Sequence, residues 1–165
     1  MEQNIHVRPA DAALAPVLGR IMAASFRAAF SDFITEETMD RCAVAENCAG
    51  LLESLIKAGE MAIVVGYVNH EPMGLLVYSR REDGMTELEA IHTLPESWGT
   101  GLGAALLAFA REHTDARRGA GLWAFAKNAR ARRFYEKHGF AFSGETRISE
   151  FDGAEEVRYE VKWNE

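Results

Sequence analysis

The chain is poor in cysteine and proline and has no long uninterrupted hydrophobic segment. It holds two cysteines and four prolines in 165 residues. The two thiols, Cys42 and Cys48, are typical of a reduced cytosolic protein and are too few for a disulfide framework. No apolar run approaches the roughly 18 residues that a membrane span needs, so we expect no integral membrane protein and no membrane partner.

A signal peptide and a metal-ligand pattern are also missing. The first residues, Met1-Glu2-Gln3-Asn4, are acidic and polar and lack the basic and apolar regions of a signal peptide. The five histidines and two cysteines show no spacing typical of metal ligands. We therefore expect a cytoplasmic protein without a metal site.

The composition that remains is that of an ordinary globular protein. Hydrophobic residues make up 48% of the chain and charged residues 26%, which excludes disordered, collagenous and coiled-coil proteins. A domain usually has roughly 100–200 residues. No internal repeat or linker rich in proline, glycine or serine divides the sequence, so we expect one domain over residues 1–165.

Charge is distributed unevenly along the chain. Residues 111–138 contain eight Lys or Arg and three Asp or Glu, a local balance of +5. The net charge is −7, so the rest of the chain carries −12. Such a field is typical of a site that holds phosphate at one end and a cation at the other. The alternative is that Arg117, Arg118 and Arg130 are simply solvated. We expect no nucleic-acid partner.

The hydrophobic pattern changes between strand and helix periods several times. It predicts strands at 5–9, 61–68, 73–78, 85–93, 121–126, 145–151 and 156–163. Helical spacing predicts 15–30, a second region from 35 to 56 in pieces, 101–113, and a run after Asn128 that ends at His138. Six or seven strands with about four helices predict a mixed α/β domain.

A glycine-rich turn, Trp98–Ala104, lies between a predicted strand and a predicted helix. Glycines let the main chain approach a ligand, and a helix N-terminus offers unpaired N–H groups and a positive dipole end. Together these features favour a site for pyrophosphate. The alternative is a turn whose glycines serve only close packing.

Three ligand classes compete for this turn. A P-loop is excluded because Gly-Lys-Ser/Thr does not close it. Gly99, Gly101 and Ala104 formally match the dinucleotide fingerprint G-x-G-x-x-G/A. However, the segment where an acid should hold the ribose, 123–127, is neutral and then basic, which disfavours NAD. Coenzyme A is the third candidate.

The segment 94–107 resembles the pyrophosphate-binding motif of the GNAT superfamily of acyl-CoA-dependent N-acyltransferases, Gln/Arg-x-x-Gly-x-Gly/Ala. Gly101 and Gly103 occupy its two small positions. A second segment, 128–140, resembles the same superfamily's Asn-x-x-Ala-x-x-Phe-Tyr-x-x-x-Gly-Phe element, and the order of strands agrees over nearly the whole chain. The resemblance implies a single-domain GNAT-like α/β fold, with a mixed, mostly antiparallel sheet of six to seven strands and about four helices.

The resemblance also implies acetyl-CoA as cosubstrate and suggests which residues would bind it. Main-chain groups of Ile91, His92 and Thr93 would pair with the pantetheine amides like a missing strand, and one such N–H could polarise the thioester carbonyl. The remaining cofactor-binding residues would be Trp98, Gly99, Thr100, Gly101, Leu102, Gly103, Ala104, Asn128, Ala131 and Tyr135. Trp98 stands where the motif usually has Gln or Arg, so we expect a weakened or reshaped phosphate site rather than its loss.

Candidate catalytic residues come from the strand before the turn and from the second motif. Glu87 and Glu89 lie two apart, on one face of a regular strand, where the family often has its general base. His92 is an alternative base, although its strand parity is opposite unless a bulge intervenes. Tyr135 matches the family tyrosine that protonates the leaving thiolate. The alternatives are exposed strand acids, a structural histidine and a core tyrosine.

The resemblance therefore implies an N-acetyltransferase that transfers the acetyl group directly, because neither cysteine lies near the motifs. The alternative is a non-catalytic acyl-CoA-binding or sensing module. The regions that would surround the acceptor contain Phe26, Phe30 and Tyr159, together with Phe33 and many acids. These residues favour a small cationic amine, such as a polyamine or amino-acid derivative, or a peptide N-terminus. A homodimer is left open.

Overall fold

Seven strands form one mixed sheet in the order β1-β2-β3-β4-β5-β7-β6. The strands are β1 (Ile5–Pro9), β2 (Ala62–Val68), β3 (Glu71–Arg80), β4 (Thr86–Thr93), β5 (Ala120–Phe125), β6 (Ala141–Ile148) and β7 (Glu155–Val161). Neighbouring strands run antiparallel except for β4 and β5, which are parallel. The computed structural model describes residues 2–163. Met1 of the polar N-terminal segment, and residues 164 and 165 of the expected domain, lie outside the described residues.

Five α-helices cover the two faces of this sheet. They are α1 (Ala15–Phe30), α2 (Glu36–Cys42), α3 (Ala45–Ala58), α4 (Leu102–Glu112) and α5 (Ala129–Lys137). Alternate residues of β3 contact opposite layers, as the period of a strand requires. Leu76 packs in the cluster that holds Leu106 of α4, and Leu75 in the cluster that holds Leu18 of α1. We call these two sides the α4 face and the α1 face.

The sheet opens between β4 and β5. Their register contains two pairs, Thr86 with Ala120 and Glu87 with Gly121. From Leu88 and Leu122 onward the two strands are no longer paired, while β5 stays paired with β7 along its other edge. The middle of the sheet therefore contains a slot between two strand edges.

A β-bulge at Glu89 changes the alternation of β4. The register with β3 passes from Tyr78–Leu88 to Val77–Ala90, so Glu89 is an extra residue on its strand. As a result, Leu88 and Ile91 both pack on the α4 face although they are three residues apart. In a regular strand, His92 would lie on the opposite face from Glu87 and Glu89. The bulge at Glu89 interrupts this alternation, so the expected opposition no longer holds.

The predicted fold is confirmed, with two corrections to its elements. There are five helices rather than about four, because the second helical region breaks at Ala43 and Val44 before α3 begins. The strand predicted at 145–151 exists, but its predicted bounds lie three to four residues too late. β6 instead occupies Ala141–Ile148, and Ser149 then turns the chain by donating its N–H to the Ala154 carbonyl, at 2.7 Å.

The expectation that no apolar stretch is long enough to cross a membrane needs correction. The 19-residue segment Ala12–Phe30 has a mean hydropathy of 1.3 and is long and apolar enough to cross a membrane, judged by length and composition alone. In the fold this segment ends in α1, whose Leu18 and Ile21 are buried against the sheet. A core helix of a globular protein passes the same test.

Candidate active site

A cavity of about 710 Å³ occupies the slot between β4 and β5. Its lining includes Leu122 and Tyr135, which pack on the α4 face, and Phe26 and Phe125, which pack in a cluster with α2 on the other side. The cavity thus reaches both faces of the sheet, and two molecules entering from opposite sides could meet inside it.

At its α4 end the cavity is lined by the glycine turn. Gly99 and Gly101 have φ angles of 81° and 95°, in the left-handed region that favours glycine. The N–H groups of Gly101, Gly103 and Ala104 make no hydrogen bond within residues 2–163. These free donors at the start of an 11-residue helix form a site for an anion.

Thr100 is the one predicted cofactor-binding residue that does not line the cavity. Its hydroxyl donates to the Ser97 carbonyl at 2.6 Å and accepts from the Leu102 N–H at 3.3 Å. These bonds hold the turn in shape. Thr100 therefore stabilises the glycine turn without lining the cavity.

The charges that line the cavity are segregated. Arg130, Arg133 and Lys137 line it from α5, beside the glycine turn. Among the residues that the structure describes, the acids in the lining are Glu89 of β4 and Glu156 of β7. The donor set on the α4 face, with unpaired N–H groups and three cations, fits the phosphates of coenzyme A.

Trp98 and Arg130 form a stacked pair beside the turn. The Trp98 indole N–H donates to the Thr93 carbonyl at 3.4 Å, and the Arg130 Cζ lies 3.4 Å from the centroid of the indole ring. Burial, together with the charge of Arg133, lowers the pKa of Arg130. The aromatic residue that departs from the family motif thus holds a guanidinium.

Tyr135 and Asn128 lie on α5. The Tyr135 side chain is 6% exposed, lines the cavity and makes no hydrogen bond through its hydroxyl in the described part of the chain. Burial raises the pKa of this phenol, so it stays protonated at neutral pH. The Asn128 amide oxygen caps α5 by accepting the Ala131 N–H at 3.2 Å. Asn128 and Ala131 both line the cavity.

The β4 residues Ile91, His92 and Thr93 line the same cavity. His92 is buried, and its Nδ1 lies 3.1 Å from the Ser25 hydroxyl. Burial lowers its pKa to about 4. The imidazole is therefore neutral at pH 7, and it is a weaker base than the free side chain would be.

The structure separates the two glutamates predicted to act together. Glu89 lines the cavity, and its Oε1 accepts a hydrogen bond from the Ser79 hydroxyl at 2.8 Å. Glu87 lies outside the cavity lining, and its Oε2 accepts from Arg158 Nη1 at 2.6 Å. This corrects the expectation of a shared site, because the bulge at Glu89 and the buried Arg158 direct the two carboxylates differently.

Four phenylalanines line the cavity away from the glycine turn: Phe26, Phe30, Phe125 and Phe151. Phe30 makes edge-to-face contacts with Phe26 and Phe125, at ring-centroid distances of 4.6 and 4.9 Å. Sequence reasoning identified Phe26 and Phe30 but missed the other two. The alternation of β5 could have indicated Phe125, whereas Phe151 lies in a turn that has no periodic signal.

Tyr159 does not reach the cavity, contrary to the expectation that it binds substrate. Its side chain is 0% exposed. The hydroxyl donates to Glu136 Oε2 at 2.8 Å and accepts from Arg132 Nε at 2.9 Å. Tyr159 thus joins β7 to α5 as part of the core.

Asp152 ties the turn between β6 and β7 to the start of α2. Its carboxylate accepts hydrogen bonds from the Thr35 N–H and hydroxyl at 3.0 and 2.8 Å, and from the Thr38 hydroxyl at 2.7 Å. The bond from Thr38, followed by those from Thr35, lowers the pKa of Asp152. This contact sits next to Phe151, and sequence reasoning missed it.

No arrangement of three or more His, Cys, Asp or Glu side chains that could hold a metal ion occurs within residues 2–163. Cys42 and Cys48 lie outside the cavity lining, in α2 and α3. Burial raises the pKa of the Cys48 thiol, which keeps it protonated at neutral pH.

The model of the acetyltransferase (GNAT) family matches residues 22–140 of this chain. The match includes the glycine turn and the helix that carries Tyr135. Among curated protein sequences, none matches this one.

Solved structures of acetyltransferases share the fold at low sequence identity. The PaiA N-acetyltransferase of Thermoplasma acidophilum, in complex with coenzyme A, has a TM-score of 0.79 at 16% identity, over 97% of this chain and 99% of that chain. A GCN5-related N-acetyltransferase of Rhodopseudomonas palustris gives 0.76 at 17% identity, over 98% of each chain. A protein of Corynebacterium glutamicum described as histone acetyltransferase HPA2 and related acetyltransferase gives 0.72 at 21%, over 100% and 98%.

Proposed function

The chain belongs to the GNAT family of acetyltransferases, and from that premise we propose that it transfers the acetyl group of acetyl-CoA directly to a primary amine. The observation that carries this proposal is the cavity through the sheet. It joins the anion site at the glycine turn, on the α4 face, to an aromatic pocket on the other face. Both substrates can therefore be bound at once. Bound acetyl-CoA would supply an activated thioester.

Glu89 is proposed to remove a proton from the incoming ammonium, directly or through a water molecule. The free amine attacks the carbonyl carbon, a C–N bond forms and the C–S bond breaks. As the tetrahedral carbon collapses, the sulfur takes its proton from the Tyr135 hydroxyl, and the second proton of the amine passes through water to the Tyr135 phenolate, while Glu89 releases the first proton to solvent. Tyr135 is placed for this role because its protonated hydroxyl lines the cavity and makes no hydrogen bond within residues 2–163.

His92 has a different proposed role. With its pKa lowered to about 4, it is a poor proton acceptor at neutral pH. Its contacts with Ser25 of α1 and, edge to face, with Phe30 connect the cofactor-facing strand to the aromatic pocket. We propose that it orients these two elements.

The aromatic pocket favours a compact amine with an apolar body. The four phenylalanines offer flat apolar surfaces, and ring faces attract a cation. The carboxylate of Glu89 lies at the same cavity, as does that of Glu156. An aromatic or alkyl amine, an amino-acid derivative or the N-terminus of a peptide fits this combination better than a polyamine with several separated charges.

A panel of acceptors tests the proposal. The purified chain is incubated with acetyl-CoA and either phenethylamine, spermidine, an amino-acid amide or a short peptide, and both free coenzyme A and the acetylated product are measured. We expect product with at least one primary amine and the highest kcat/KM for phenethylamine. If acetyl-CoA binds but no amine in the panel is acetylated, the non-catalytic binding module becomes the better description. A cytoplasmic location remains a prediction, and a homodimer is left open.

A further inference from the structure

We propose that Trp98 and Arg130 act as one phosphate-binding unit for coenzyme A, in which the indole positions the guanidinium that contacts the phosphate. The motif of the family usually has Gln or Arg at the position of Trp98. In this chain a cation is supplied beside that position by another element, because the Cζ of Arg130 of α5 lies over the Trp98 ring, 3.4 Å from its centroid.

Hydrogen bonds fix the position of the Trp98 ring over which Arg130 lies. The main-chain N–H of Trp98 donates to the Pro95 carbonyl at 3.0 Å, and its indole N–H donates to the Thr93 carbonyl. The residue is 37% exposed and lines the cavity. Such a platform restricts the guanidinium to a narrow range of positions beside the glycine turn.

The Arg130 guanidinium has no anionic partner within residues 2–163. The two arginines over Trp123 behave differently, since Arg147 pairs with Glu156 at 2.9 Å and Arg158 with Glu87 at 2.6 Å. The Arg130 side chain is exposed where it lines the cavity, so its five N–H donors are open to an incoming anion. These donors are therefore available to a ligand.

The ligand chemistry follows from the position of the pair. Trp98 and Arg130 line the cavity next to the unpaired N–H groups of Gly101, Gly103 and Ala104. Coenzyme A carries a pyrophosphate and a 3′-phosphate, and a guanidinium binds either one through two parallel hydrogen bonds. The site thus recognises a phosphate group of coenzyme A.

Binding calorimetry tests this assignment without requiring catalysis. Arg130→Gln should weaken binding of coenzyme A by about 10- to 100-fold, the usual effect of losing a charge-assisted hydrogen bond. Arg130→Lys should recover only part of the loss, because an ammonium lacks the flat fork of donors. Arg117→Gln is the matched control, because it removes the same charge from a side chain that is 85% exposed and outside the cavity.

Titration with 3′-dephospho-coenzyme A identifies the phosphate. If Arg130→Gln weakens coenzyme A but not the dephospho form, Arg130 binds the 3′-phosphate, and if it weakens both equally, Arg130 binds the pyrophosphate. The assignment is overturned if folded Arg130→Gln binds both ligands as tightly as Arg117→Gln does.

A double-mutant cycle tests whether the two residues act as a unit. Trp98→Leu removes the aromatic face and should weaken coenzyme A by about fivefold. When combined with Arg130→Gln it should add nothing further, since the indole acts through the guanidinium. Additive losses in the double variant would show that Trp98 contacts the ligand independently and would overturn its positioning role.

Discussion

Arg158 of β7 reaches across β5 to Glu87 of β4, with 2.6 Å between Nη1 and Oε2. The path is open because β5 has Gly121 at this level, where a Cβ atom would collide with the Arg158 guanidinium. Glu87 and Gly121 are also the last pair in the parallel register before the slot. The ion pair therefore fastens the sheet at the closed end of the cavity.

We predict that Glu87→Gln destabilises the fold without removing the catalytic base. It would leave the buried Arg158 with Glu160 alone, at 3.2 Å, and removal of one partner of a buried ion pair costs about 3 kcal/mol. Urea unfolding at neutral pH measures this loss. At a temperature where the variant is folded, kcat should stay within about twofold of wild type. A variant of full stability that had lost its activity would return Glu87 to the list of candidate bases.

Glu89→Gln is the opposite case. Glu89 contacts Ser79 at the bulge and is exposed, so the free energy of unfolding should change by less than about 0.5 kcal/mol. The rate of amine acetylation should fall by about 100-fold, the usual contribution of a general base. Steady-state kinetics separates this result from a rise in KM alone, which would mean that the carboxylate only attracts the ammonium.

Tyr135→Phe should lower kcat by about 100-fold while leaving the affinity for coenzyme A within about twofold. The ring packs against Phe134 and Phe140, and phenylalanine retains those contacts. Rapid-quench measurements and calorimetry on the same preparation check both parts. An unchanged kcat would mean that the thiolate takes its proton from solvent.

His92 should make the fold sensitive to mild acid. Its pKa in the folded state is about 4, below the value of about 6.5 in an unfolded chain. Between these values the unfolded state binds a proton that the folded state does not, so stability falls as the pH drops from about 6.5 to 4. The full effect is about 3 kcal/mol, and it is absent above pH 7.

Unfolding curves at pH 7.5, 6 and 5 measure the effect of His92. In His92→Gln the decline over this range should become smaller, whereas His113→Gln, at an exposed site on the end of α4, should behave as wild type. An equal decline in all three proteins would assign the acid sensitivity to other groups.

Asp152→Asn should weaken acceptor binding selectively. Asparagine tolerates the φ of 60° at this position, but it lacks the negative charge of the carboxylate. That carboxylate accepts three hydrogen bonds from Thr35 and Thr38. The turn that carries Phe151 would then be less firmly held to α2. We expect KM for the amine to rise by about tenfold. Binding of coenzyme A should not change, and Glu150→Gln in the same turn serves as control.

Local signals predicted much of this fold. The sequence predicted β1 and α1 with the observed limits, since β1 ends at a proline and α1 buries one regular face. Asn128 was recognisable as a helix cap because capping depends on residues three apart. The glycine turn was equally local, and Gly101, one of its two left-handed glycines, lies at a small position of the motif.

The remaining features depend on distant pairs and could not be predicted from local patterns. The bulge at Glu89 exists only in the register with β3, and no single strand encodes it. Tyr159 was assigned to the acceptor wall because its bonds to Arg132 and Glu136 cross between elements 23 to 27 residues apart. The contact between Asp152 and Thr35 spans 117 positions of the chain.

The parting of β4 and β5 leaves two strand edges in the middle of the sheet whose hydrogen-bonding groups are not satisfied by each other. A ligand that pairs with these edges takes the place of structure that the polypeptide does not provide. Such a ligand stabilises the native state by about 2.7 kcal/mol when its concentration is 100 times its Kd. Resistance to proteolysis, and with it the abundance of the protein, would then rise and fall with the supply of acetyl-CoA, so that metabolic state would influence turnover of the protein as well as its rate of catalysis.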